Sequence, residues 1–122
     1  MSQRKNREAL VLPARCMRRK ELFGIRAERI EKAWHLTWAF PLAERTAKNE
    51  RLTNNKVSGV VLLDADYPGC PHCGNNGFVV CYNCGNAACI DDMTTVFKCP
   101  WCGESGGVES AEKFEGIKAG GY

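Results

Sequence analysis

Between residues 23 and 40 the apolar positions recur at every second residue, with Phe23, Ile25 and Ala27 on one arm and Trp34, Leu36, Trp38 and Phe40 on the other. A period of two places such side chains on one face of a strand, so the segment predicts a β-hairpin turning near Glu31-Lys32, with an aromatic face that needs a covering partner. A helical stripe through Leu22, Ile30, Ala33 and Trp34 competes for the same residues. Residues 41–52 open on Pro41, which is tolerated at a first helical position, and contain no internal breaker, which predicts a short helix. Residues 57–63 predict a further strand and residues 64–69 a turn. Phe78-Val79-Val80, residues 87–90 and the β-branched residues 94–98 predict three short antiparallel strands, and the Gly- and Glu-rich tail beyond Gly103 predicts a loose segment.

The cysteines change this picture most. Seven of the eight, Cys70, Cys73, Cys81, Cys84, Cys89, Cys99 and Cys102, fall between residues 70 and 102, while Cys16 stands apart. Three pairs share one form, Cys70-Pro-His-Cys73-Gly, Cys81-Tyr-Asn-Cys84-Gly and Cys99-Pro-Trp-Cys102-Gly. Two intervening residues let a tight turn aim both sulfurs at one ion, and the following glycine accepts the left-handed backbone that continues the turn. Thiolate sulfur favours zinc over hard cations, although iron also fits four sulfurs. A four-residue strand between successive knuckles spans roughly 13 Å, too far to share one ion, which predicts two interleaved sites. One takes Cys81, Cys84, Cys99 and Cys102; the other takes Cys70, Cys73, Cys89 and a fourth ligand, with Cys16 preferred over His72, His35, Asp91 and Asp92. A single ribbon site built from Cys70, Cys73, Cys99 and Cys102 is the rival arrangement. His72, inside a knuckle turn, is expected to point into solvent.

The fold expected from these elements is α+β, a small N-terminal β-hairpin and short helix packed with a C-terminal zinc-ribbon or knuckle antiparallel sheet. It divides into a flexible basic N-terminus (1–8), a hairpin–helix–strand subdomain (9–66), a cysteine-rich zinc-binding subdomain (67–103) and a flexible tail (104–122).

Composition narrows the class. With 44% hydrophobic and 25% charged residues, the 122-residue chain has the make-up of a small folded protein. Its longest apolar stretch, residues 57–63, is broken by Ser58 and Gly59 and is far too short to cross a membrane as a helix. The charged N-terminus is not followed by an apolar run with a cleavage site, which predicts a chain that stays in the reducing cytoplasm, where paired cysteines read as metal ligands rather than disulfides. Residues 1–56 carry 14 Lys+Arg and 6 Asp+Glu, and residues 57–122 carry 3 and 8, so the net positive charge is confined to the first half. Arg15, Arg18, Arg19 and Lys20, together with Trp34, Trp38 and Trp101, admit a nucleic-acid reading. Trp34 and Trp38 on an alternating hairpin are better explained as core. Trp101, at a knuckle tip, is expected to be exposed and to contact a partner.

The order Leu12-Pro13-Ala14-Arg15-Cys16, Phe23-Gly24-Ile25-Arg26, Leu36-Thr37-Trp38-Ala39-Phe40-Pro41, Tyr67-Pro68-Gly69-Cys70-Pro71-His72-Cys73-Gly74 and Cys99-Pro100-Trp101-Cys102 resembles the TerY-C metal-binding domain over residues 9 to 103. That domain stands at the C-terminus of von Willebrand factor A proteins of bacterial tellurite-resistance clusters. The resemblance implies eight chelating residues, mostly cysteines with a histidine in the usual set, and neighbours that include a Ser/Thr protein kinase and a PP2C-type phosphatase. A chain of 122 residues leaves no room for a von Willebrand domain, so either action in trans on such a protein or membership of another signalling system is expected.

The function expected is therefore that of a non-catalytic module holding two Zn²⁺, an adaptor for protein partners in a phosphorylation or stress-response system of the tellurite-resistance type. No serine, histidine and acid constellation stands out, and zinc held by four thiolates has no open position for water, so no enzyme activity is expected. A zinc-ribbon nucleic-acid binder is the alternative, and a thiol oxidoreductase a weaker third.

Overall fold

The computed structural model describes residues 9–42, 55–91, 95–108 and 113–119. Strands β1 (Ala9–Arg15), β2 (Leu22–Ile30), β3 (Ala33–Pro41), β4 (Asn55–Leu63), β5 (Gly77–Val80), β6 (Ala87–Ile90), β7 (Val96–Lys98), β8 (Ser105–Gly107) and β9 (Lys113–Ala119) follow one another, with no helix among the described residues. Seven form one sheet in the order β5-β6-β1-β2-β3-β4-β9, and β7 and β8 form a separate two-stranded sheet. The α+β expectation is thus corrected to an all-β fold. Pro41 is the last residue of β3, opposite Phe23, and the Leu42 N–H continues the pairing to the Leu22 carbonyl. A strand end tolerates proline as readily as a helix start does, because the missing donor is not needed there. The remainder of the expected helix, residues 43–52, lies outside the described residues.

The hairpin forms as its alternation predicts. β2 and β3 pair antiparallel and turn at Glu31-Lys32, with Glu31 in the left-handed region at φ 60°. The pairing steps from Arg26↔Trp38 to Ala27↔Leu36, leaving Thr37 as a β-bulge. A bulge reverses which face the following residues present. Trp34 and Leu36 point into the core, the next buried residue is Ala39, and Trp38 is turned out to 53% exposure. This corrects the continuous aromatic face and the core placement of Trp38. The Thr37 hydroxyl donates to Glu28 Oε2 at 2.8 Å, and Arg26 Nε donates to the same oxygen at 3.3 Å.

The large sheet is curled. Phe78 on β5 and Phe114 on β9, strands at opposite ends of the order, meet edge to face with centroids 5.8 Å apart. The enclosed core holds Leu12, Ala14, Phe23, Ile25, Leu36, Val57 and Ile117, all fully buried. On the opposite face, Gly24 leaves space for its neighbour: a Cβ there would lie 2.6 Å from Phe40 Cζ and 3.0 Å from Val11 Cγ1.

Two further expectations change. β7 does not join β5 and β6 in one antiparallel sheet; the turn at 99–104 sends the chain back as β8, so β7 takes its nearest neighbour in sequence. The free side of β6 is taken by β1, in parallel, with Ala14↔Ala87 and Arg15↔Ala88. The tail beyond Gly103 contributes β8 and β9, and β9 pairs antiparallel with β4. The large sheet runs through both of the expected subdomains.

Candidate metal centres

Four turns share one backbone pattern. In each, the first cysteine's N–H donates to the carbonyl five residues on, and the N–H four residues on donates back to that cysteine's carbonyl. The bonds are Cys16 to Glu21 (3.0 Å) with Lys20 to Cys16 (2.7 Å), and Cys70 to Asn75 (2.9 Å) with Gly74 to Cys70 (2.8 Å). They recur as Cys81 to Asn86 (3.0 Å) with Gly85 to Cys81 (2.9 Å), and Cys99 to Glu104 (2.8 Å) with Gly103 to Cys99 (3.0 Å). The fifth position has positive φ in all four: Lys20 58°, Gly74 83°, Gly85 76° and Gly103 84°. The first turn, Cys16-Met-Arg-Arg-Lys20, is therefore a knuckle whose second sulfur position is held by Arg19 and whose glycine position is held by lysine. The C-x-x-C-G pattern does not reveal it. Its one sequence signal is Cys16 itself, placed just beyond the apolar run of residues 9–14.

The knuckles assemble in pairs. Cys16, Cys70, Cys73 and Cys89 form one group and Cys81, Cys84, Cys99 and Cys102 another, the sulfurs of each lying within 4.8 Å of one another. The sulfur that the first turn lacks is supplied by Cys89. Parallel pairing of Arg15 with Ala88 sets the next residues, Cys16 and Cys89, side by side, and the Met17 N–H donates to Cys89 Sγ at 3.3 Å. Antiparallel pairing of Phe78 with Cys89 returns β6 to the level of the 70–75 turn. These groups match the interleaved arrangement, with Cys16 as the fourth sulfur of its group, and the four sulfurs of the single ribbon site are not brought together. His35, His72 and Asp91 belong to neither group, and Asp92 lies outside the described residues.

The sulfur spacing fits a tetrahedral ion. Four sulfurs about 2.3 Å from a central zinc lie about 3.8 Å apart along each edge. Observed separations are 3.6 Å for Cys73–Cys89, 3.7 Å for Cys81–Cys102 and 3.7 Å for Cys84–Cys99. All eight cysteines are free thiols rather than disulfides. The sequence profile of the TerY-C metal-binding domain matches residues 4–120, nearly the whole chain. The chain belongs to the TerY-C family. No curated protein and no solved structure matches it.

Within this TerY-C domain the two groups differ in depth. Cys16, Cys70 and Cys89 are buried and Cys73 is half-buried; in the second group Cys81 and Cys99 are buried, Cys84 is half-buried and Cys102 is exposed. Burial pushes the Cys70 thiol up to about 11 and the Cys99 thiol up to about 12, and it raises Cys81 and Cys89 as well. Burial also raises Cys16, but the N–H groups of Arg19 and Arg18, together with hydrogen bonds from the Cys73 and Cys70 thiols, hold it below its ordinary value. Cys102 is lowered to about 7, first by the Asn83 side-chain amide and then by the Glu104 N–H. Asn83 Nδ2 lies 3.5 Å from Cys102 Sγ, and Asn75 Nδ2 lies 3.8 Å from Cys89 Sγ. Donors aimed at sulfur favour the thiolate, the form that binds metal. Neither asparagine is marked out by the cysteine spacing.

The residues between the paired cysteines tie the turns together. His72 is not the solvent-facing residue expected: its Nε2 donates to the Leu22 carbonyl at 2.9 Å, and its Nδ1 lies 3.0 Å from Glu21 Oε2, joining the second turn to the first. Trp101 is likewise half-buried rather than exposed. Its indole N–H donates to the Ala87 carbonyl at 2.8 Å, and the Arg15 guanidinium covers its ring at 4.6 Å. Trp101 therefore fastens the fourth turn to β6.

Proposed function

We propose that this chain is a non-catalytic module holding two Zn²⁺, which presents its surface to protein partners as an adaptor in a bacterial phosphorylation or stress-response system of the tellurite-resistance type. The observation that carries this reading is that each group brings four cysteine sulfurs within 4.8 Å of one another. Zinc held by four thiolates has no position for a substrate or a water, so its role is to hold the fold. Partners of the class expected are a von Willebrand factor A protein, a Ser/Thr kinase and a PP2C-type phosphatase.

Nucleic-acid binding is less favoured by the structure. Trp34 is buried, and Trp101 and Arg15 stack on each other, so this aromatic and basic pair is used within the molecule. Exposed aromatic area remains at Trp38 and Tyr82, the residue types that most often anchor protein interfaces. The zinc-loaded chain is expected to capture the kinase, the phosphatase or the von Willebrand protein in a pull-down, and Trp38→Ala to weaken that capture. Recovery of none of the three by the loaded chain would remove the adaptor role.

A further inference from the structure

We propose that the two centres are unequal, and that Cys81/Cys84/Cys99/Cys102 is an exchangeable, peroxide-sensitive metal site while Cys16/Cys70/Cys73/Cys89 is a permanent one. The inference rests on the metal reading and adds to it which ion leaves and what drives it out.

Two independent features separate the sites. The first is access. Three ligands of the inner site are buried, at 0% for Cys16, 1% for Cys89 and 3% for Cys70, whereas Cys102 of the outer site is exposed. The second is anchorage. Cys16 directly follows β1 and Cys89 lies within β6, both strands of the seven-stranded sheet, and both cysteines pack in the main core, so releasing either sulfur disturbs it. Cys99 and Cys102 lie in the turn between β7 and β8, whose small sheet includes no other strand. That sheet and its turn meet the rest of the molecule through Phe97 packed with Ala88 and Ile90, through Trp101, which bonds Ala87 and lies under Arg15, and through the Asn83 amide on Cys102. Segments with few buried contacts open locally at lower free energy than a core does.

The chemistry follows from these positions. The Cys102 thiolate attacks one oxygen of hydrogen peroxide; the O–O bond breaks, and a sulfenic acid and hydroxide form. Cys81 Sγ, 3.7 Å away, then attacks the oxidised sulfur, expelling a second hydroxide as the S–S bond closes. Two thiolates thereby lose two electrons to one peroxide, two protons from solvent convert the hydroxides to water, and the Zn²⁺ that those sulfurs shared is set free. The inner sulfurs lack an exposed member at which this sequence could begin.

The test uses the full chain loaded with two Zn²⁺ and treated with hydrogen peroxide. Released zinc is followed with a chromophoric chelator, and mass spectrometry maps which cysteines still accept an alkylating reagent after denaturation. The expected result is two phases, with the first ion leaving at least roughly tenfold faster than the second. During the first phase Cys81 and Cys102 carry the oxidation, and Cys16, Cys70, Cys73 and Cys89 remain alkylatable. Cys102→Ser should remove the fast phase. Release of both ions in one phase, or oxidation of the inner sulfurs first, overturns the proposal in the unaltered chain, whether or not the variant folds. A chain that takes up no zinc at the outset would instead refute the metal reading.

Discussion

Lys20 holds the left-handed position that glycine fills in the other three knuckles. A side chain in that region costs roughly 1–2 kcal/mol, part of which glycine returns through the greater freedom of the unfolded chain. Lys20→Gly should therefore stabilise the zinc-loaded protein by up to about 1 kcal/mol in denaturant unfolding, with no gain from Lys20→Ala. The other three turns were legible from sequence because C-x-x-C-G states both sulfurs and the glycine. The first was not, because Arg19 and Lys20 replace two of its three marks while the backbone keeps its hydrogen bonds. Cys16 could be named as a ligand only by its solitary place beside a segment able to fold back.

At the level of the strands, alternation was enough to place the β2–β3 hairpin and its turn. It could not show the bulge at Thr37, because an extra residue leaves the apolar pattern of Trp34, Leu36, Trp38 and Phe40 unchanged while reversing its direction. Nor could it show where β7 and β9 pair, since three-residue and glycine-containing strands carry little pattern of their own. The opposite directions of β5 and β6 suffice to interleave the two groups, although β7 lies in another sheet. Packing across β2 and β3 is tested at Gly24. The Cβ of Gly24→Ala would lie 2.6 Å from the Phe40 ring and 3.0 Å from Val11, so Phe40 must move. A loss of about 1–3 kcal/mol in denaturant unfolding is expected, with retention of both metals.

Across the whole molecule the thiols link stability to pH in two opposite ways. In protein stripped of metal, Cys70 and Cys99 are raised to about 11 and about 12, with Cys81 and Cys89 raised in the same direction. Their contribution is complete below the ordinary thiol value of about 9 and is lost as pH rises through 11 to 12, because the folded state then holds more protons than the unfolded one. Cys16 and Cys102 are lowered, so the stability they contribute is complete above about 9 and is lost as pH falls, for Cys102 through about 7. In the zinc-loaded protein the ligands are thiolates, and it is the unfolded chain that binds protons below about pH 9, so stability climbs with pH up to that point. Urea midpoints taken across the pH range with and without zinc should show these opposite slopes; a falling slope for the loaded protein below pH 8 would show that its sulfurs do not ligate metal.

The claim on which the rest depends is that two separate ions are held by two sets of four sulfurs, one of them completed by the distant Cys16. Elemental analysis of the purified chain beside its Cys16→Ser variant tests it most directly. Two zinc per chain falling to one in the variant, with Cys81, Cys84, Cys99 and Cys102 still protected from alkylation, is the predicted result. One zinc in both proteins, or two in both with undiminished affinity, would contradict it.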